Sequence, residues 1–137
     1  MDFAHPPKVR DLVEQLEAFM AEEVLPRARA WREAGLGGVY PPFIAEVQAK
    51  AKAAGLWNLA VPNLPADAPG ERLTNAEFAP LAEIMGRFMG APKAFNCHAP
   101  DVPNMIMLAD AVTAEQRRRQ RRPFQQRRQR QQRQLMT

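Results

Sequence analysis

An all-α bundle of about five helices is what this sequence predicts, on three observations. Apolar residues recur at three- and four-residue steps in several segments. Prolines, glycines and a Thr-x-x-Glu sequence punctuate those segments as helix starts and stops. No alternating run of β-branched residues and no Asn-Gly or Asp-Gly dipeptide marks a strand or hairpin. A chain of 137 residues allows one ordinary domain, large enough to bury a useful core.

The first helix follows Pro6-Pro7, because a proline in the first turn loses only an N–H that would have no partner. Val9, Leu12, Val13, Leu16, Phe19 and Met20 fall on one face, opposite Lys8, Arg10, Glu14, Glu17 and Glu22. Pro26 interrupts the pattern, and Arg27 to Ala34 reads as a second, shorter helix ending at Gly35, followed by a loop through Tyr40. A third helix starts after Pro41-Pro42 and carries Phe43, Ile44, Val47, Ala51 and Ala54 inward, with Lys50 and Lys52 toward water. Gly55 is its left-handed stop, and Leu56 folds back on the last turn. Asn63 to Arg72, rich in Pro, Ala and Asp, is expected to be an exposed connection.

Thr74-Asn75-Ala76-Glu77 has the form of a capping box for a fourth helix, whose apolar face is Phe78, Leu81, Ala82 and Met85. Pro80 lies inside it, at a cost of roughly 3 kcal/mol in a regular helix interior, and is expected to kink it. A fifth helix is expected from about Ala99 to Ala111, with Met105, Ile106 and Leu108 as core candidates. Pro100 suits its first turn, whereas Pro103 fits only if the helix begins late.

Charge divides the chain. Met1 to Gln116 holds ten Lys and Arg against fifteen Asp and Glu, a balance of −5, while Arg117 to Thr137 holds nine Arg and no acid, a balance of +9. The overall +4 therefore describes neither part, and the basic character belongs to one terminal segment. Cys97 is the single cysteine, so no intramolecular disulfide and no metal site can be built on it, and a reducing, cytoplasmic setting is expected. The opening residues lack a signal peptide's pattern, and no stretch is long enough to span a bilayer.

Several segments carry a family likeness: Met1-Asp2-Phe3; Ala54-Gly-Leu-Trp-Asn-Leu-Ala-Val-Pro62; Leu73 to Arg87 with its internal Pro80; Phe95-Asn-Cys-His-Ala-Pro-Asp101; and Thr113-Ala-Glu-Gln116. In order and spacing, Met1 to Gln116 resembles the amino-terminal helical domain of the acyl-CoA dehydrogenases, nearest the branch acting on longer or unusual acyl chains. The resemblance implies a complete enzyme with a middle β-domain and a third helical domain that builds an oligomer. There a Glu removes the α-proton of an acyl-CoA thioester, FAD accepts the β-hydride, and an electron-transfer flavoprotein takes the electrons. The family places that Glu beyond Thr137, so no catalytic residue is assigned here, and the isolated chain is expected to be inactive and to bind FAD weakly or not at all.

By the same resemblance, Phe95, His98, Ala99 and Val102 fall where the family's first domain walls the acyl-chain slot, and their spacing of three, four and seven puts them on one helical side. The plainer reading of the same residues is ordinary core for Phe95, Ala99 and Val102, with His98 at the surface. Cys97 reads as a small buried hydrophobe rather than a nucleophile. Trp57 reads as core, as a contact to the family's β-domain, or as a border of the active site. His5 earns no role.

Residues 117–137 depart from the family. Between Arg117 and Gln134 the segment holds only Arg, Gln, Pro123 and Phe124, so it cannot bury an apolar face. Leu135-Met136-Thr137 resembles the family's flavin-contact segment, which makes Met136 and Thr137 the candidate cofactor-binding residues. Three readings of this segment stand: a faulty or truncated reading of a GC-rich gene, a disordered extension binding nucleic acid or another acidic surface, and a solvated helix. The first is favoured for its origin and the third for its conformation. The alternative function is thus a helical interaction or nucleic-acid-binding module acting through the basic tail.

Overall fold

The computed structural model describes residues 4–37 and 40–111. These form six α-helical segments: α1 (Pro7–Phe19), α2 (Ala28–Leu36), α3 (Ile44–Ala53), α4 (Asn75–Gly86), the single-turn α5 (Ala91–Ala94) and α6 (Asp101–Ala111). No strand occurs among the described residues, so the all-α expectation holds.

α1 begins at Pro7 and buries Val9, Leu12 and Leu16, while every charged residue expected on its other face is exposed. It runs into a π-turn (Met20–Val24) and a 3₁₀ turn (Leu25–Arg27) before α2. Pro26 has no N–H to donate and crowds the carbonyl one turn back, so the regular ladder loosens just ahead of it. Arg27 repairs part of the loss: its Nη1 donates to the Glu23 carbonyl at 2.7 Å and to the Glu23 carboxylate at 2.8 Å. α2 starts one residue later than expected and passes through Gly35 to Leu36.

α3 ends in a Schellman motif. Gly55 has φ +75°, its N–H donates to Lys52 O at 3.2 Å, and the Leu56 N–H donates to Ala51 O at 2.9 Å. Leu56 is fully buried, as expected, but Ala54 is exposed rather than inward, because the helix stops at Ala53 and the chain turns there. The connection from Asn63 to Arg72 is not wholly exposed: Leu64 is buried, and Gly70 brings the chain against the Trp57 carbonyl.

Both halves of the capping box form at α4. Thr74 Oγ1 accepts from the Glu77 N–H at 3.2 Å, and the Glu77 carboxylate accepts from the Thr74 N–H at 2.7 Å. α4 continues through Pro80, whose missing N–H would have served the carbonyl of the exposed Ala76. Water can take that bond instead.

α1 packs on α4, and α5 is wedged against α3, α4 and the π-turn. Their shared core joins Leu16, Val24, Val47, Leu56, Leu59, Leu73, Leu81, Met85 and Phe95, with Trp31, Phe43 and Phe88 in edge-to-face contact at one side. α6 is the exception. It buries no side chain, and Met107 and Leu108 are exposed, so the expected core role of Leu108 fails and those of Met105 and Ile106 are only half met. Pro103 is at ease because α6 begins at Asp101, leaving it in a first turn.

Candidate functional site

The residues singled out in the sequence meet where α5 turns into α6. α5 ends at Ala94, and the following turn is closed by the Cys97 N–H on Pro92 O at 2.8 Å and the Asn96 N–H on Lys93 O at 3.4 Å, with Asn96 at φ +54°. This is again a Schellman arrangement, with asparagine in place of glycine. A second left-handed asparagine faces it. Asn58, at φ +59° and buried, accepts from Asn96 Nδ2 at 2.8 Å and donates through its own Nδ2 to Pro69 O at 2.9 Å, while its N–H donates to Phe95 O at 3.1 Å. The pair rivets the Trp57 turn, the 63–72 connection and the α5–α6 turn together.

That geometry corrects the expectation that Phe95, His98, Ala99 and Val102 share one helical side. The left-handed residue after Phe95 reverses the chain, so Phe95 caps α5 and Val102 lies in the first turn of α6. Phe95 points into the core, fully buried and edge-on to Phe19 at 5.4 Å. His98 and Val102 are half-buried and Ala99 is exposed. Trp57 is half-buried against the core.

Charged partners surround His98. Lys93 Nζ lies 2.6 Å from its Nε2, Asp101 Oδ2 lies 3.4 Å from its Nδ1, and the Lys93 ammonium sits 4.6 Å above the Tyr40 ring. Although Asp101 is within ion-pair distance, Nδ1 makes no aligned hydrogen bond and is shut off from solvent. Lys93, Asp101, Asn58 and Asn96 were given no role from sequence. The pairing of positions 58 and 96 leaves no local signal, whereas 93, 98 and 101 lie close together in sequence around one helix end.

Cys97 is half-buried against the core rather than fully buried as expected, and its chemistry is that of an unreactive thiol. Burial pushes its thiol up from 9.0 to about 11, against the opposing backbone hydrogen bonds of Ala60 and Leu59, so the reactive thiolate is suppressed. No cluster of three or more metal-ligating side chains occurs among the described residues.

A shallow groove of about 490 Å³ opens between α1 and the end of α3, lined by Lys8, Asp11, Leu12, Gln15, Ala54, Gly55 and Glu71. Its one cation is spent on Glu71 at 2.8 Å, and with Asp11 the lining carries two carboxylates. A flavin dinucleotide needs donors for its diphosphate and a flat apolar wall for its ring system, so this groove does not fit FAD. Met136 and Thr137, the flavin-contact candidates, lie outside the described residues, as does the basic segment.

An all-helical domain with a riveted α5–α6 turn and an uncovered apolar helix beside it is the class of structure at hand. Comparison with known proteins places it more closely. The sequence model for the acyl-CoA dehydrogenase, N-terminal domain, matches residues 6–124. The chain is 43% identical over 130 residues to the probable acyl-CoA dehydrogenase FadE2 of Mycobacterium tuberculosis, covering 90% of this chain and 30% of that protein. It is 42% identical over 118 residues to mouse acyl-CoA dehydrogenase family member 10, covering 82% of this chain and 11% of that protein. The solved structure of a putative acyl-CoA dehydrogenase from Mycobacterium abscessus superposes with a TM-score of 0.69 at 38% identity, over 84% of this chain and 30% of that one. The chain belongs to the acyl-CoA dehydrogenase family, matches its amino-terminal domain, and spans less than a third of the length of these relatives.

Proposed function

We propose that this chain supplies the amino-terminal helical wall of an FAD-dependent acyl-CoA dehydrogenase, with the His98–Val102 turn beside the acyl tail of the substrate and Phe95 as its support from the core side. The carrying observation is α6: its Val102, Met105, Ile106, Met107 and Leu108 are apolar, yet none is buried. Between Asp101, Asn104 and Asp110 these apolar side chains form helix surface that wants a neighbour, and the turn leading into it is held rigid by the Asn58–Asn96 pair.

The chemistry of such an enzyme is α,β-dehydrogenation of an acyl-CoA thioester, with FAD as hydride acceptor and an electron-transfer flavoprotein downstream, in a homo-oligomer. In this reading the 137-residue chain by itself has no turnover: it spans less than a third of the length of its relatives, and the resemblance assigns the catalytic Glu to none of its residues. No helix among the described residues is long and apolar enough to cross a membrane. The free, half-buried thiol of Cys97 accords with a reducing, cytoplasmic setting.

A chimera tests the wall directly. Residues 6–111 of this chain replace the matching part of the Mycobacterium tuberculosis relative, and acyl-CoA oxidation is followed by dye reduction across a series of chain lengths. Ala99→Trp should raise KM for the longest acyl chains by about tenfold or more while sparing short ones. A chain-length profile unmoved by both Ala99→Trp and Val102→Trp would remove the turn from the pocket.

A further inference from the structure

His98 and Asp101 belong to the turn placed beside the acyl tail, but their contacts with Lys93 carry nothing in that reading, and the geometry of the cluster holds whether or not the turn walls a pocket. An ammonium group has donors only. At 2.6 Å from Lys93 Nζ, the Nε2 of His98 must therefore be the acceptor, which puts the ring's proton on Nδ1 when the ring is neutral. That Nδ1–H is buried without an aligned acceptor, and the Asp101 carboxylate waits 3.4 Å away.

From this we propose that His98 is an acid-operated latch between α5 and α6. In the neutral ring the Lys93 bond closes the latch. A protonated ring carries hydrogens on both nitrogens and cannot keep an ammonium 2.6 Å from Nε2, since both groups then donate and both are cationic. Lys93 withdraws toward the Tyr40 ring, which it already overlies, and the imidazolium closes on Asp101, at the first position of α6. The proton exchanges a tie to α5 for a tie to α6.

The groups that face the ring are few. Lys93 comes from α5, and its carbonyl is held by Gln48 of α3 at 3.0 Å. Asp101 comes from α6, Tyr40 lies across Lys93 from the segment before α3, and the neighbouring Cys97 is a neutral thiol. Asp101 is also 3.8 Å from Lys93, so the carboxylate accompanies either cation.

Ring ¹⁵N and backbone amide NMR on the whole 137-residue chain tests the latch. The neutral His98 ring should be in the Nδ1–H form, and acid that protonates the ring should displace amides of residues 91–104 and leave α1 still. His98→Gln, whose amide can accept from Lys93 but cannot titrate, should fold and lose that acid response. Lys93→Met should return the neutral ring to the commoner Nε2–H form and likewise lose the response. A neutral ring in the Nε2–H form in the unaltered chain, an acid response spread evenly over α1 to α4, or an unchanged response in His98→Gln would each overturn the latch.

Discussion

Gly70 cannot be replaced without moving the chain. A Cβ built on it would lie 1.9 Å from the Trp57 carbonyl oxygen, and its φ of +120° is hostile to any L side chain. Gly70→Ala should therefore cost about 3 kcal/mol or more in urea unfolding, whereas Gly86→Ala, with nothing within 4 Å of the added methyl, should be neutral or stabilise by about 0.5 kcal/mol. Equal costs would mean that the Trp57–Gly70 approach does not exist in solution. Cys97 makes a second prediction at this scale. Its folded-state pKa is raised by burial from 9.0 to about 11, so the stability tied to the neutral thiol is fully present below the unfolded value and is lost as pH rises through the folded one. Alkylation should be slow in the folded chain near neutral pH and accelerate on unfolding, and stability should decline between about pH 9 and about pH 11 less steeply in Cys97→Ala.

Among the elements, α4 is the one whose beginning is most fully determined by local chemistry. Thr74 and Glu77 satisfy each other's backbone donors within one turn, so the pattern is visible in four letters and forms as read. Thr74→Ala should cost about 1 kcal/mol. The Thr74 backbone N–H first, and then its hydroxyl, hold the Glu77 carboxyl below the ordinary carboxylate value. That contribution is present above the unfolded pKa and fades as pH falls through the folded one, so Glu77→Gln should flatten the decline of stability on acidification below about pH 5. The same locality explains what was legible elsewhere: the buried face of α1 is a simple helical repeat, and the Gly55 stop announces itself by residue type. The end of α5 was not legible, because asparagine marks a left-handed cap far less distinctly than glycine, and the extra turn hidden there invalidated the single-face argument for Phe95 to Val102. Ala54 was misplaced for a related reason: helical spacing extends a face past the point where the helix has stopped. Of the candidate site, the segment was legible and the partners were not. Asn58 and Asn96 are brought together by the packed core, and the roles of Lys93 and Asp101 around His98 depend on how one turn is wound.

For the whole molecule, the contrast is between a well-filled core and a helix left outside it. Leu16, Leu81, Met85 and Phe95 are sealed from water, while α6 is attached mainly by polar ties: Asn63 to the Ile106 carbonyl at 3.2 Å and to the Asp110 carboxylate, and Asn96 to the Met105 sulfur at 3.3 Å. A periodicity argument sees that α6 is apolar and assigns it to the core, yet it cannot say which protein surface will cover it. Membership of the acyl-CoA dehydrogenase family, with relatives more than three times as long, supplies a candidate: the rest of a complete enzyme. Placing charge on α6 should then matter little to the isolated chain and greatly to the assembled one. The most direct measurement is the flavin absorption of the purified chimera with the Mycobacterium tuberculosis relative, compared with its Met107→Glu, Leu108→Glu double variant. The account predicts a fully flavin-loaded chimera and a double variant that loses flavin, although the same two changes alter the unfolding free energy of the 137-residue chain by no more than about 0.5 kcal/mol each. A double variant that keeps its full complement of flavin would contradict it.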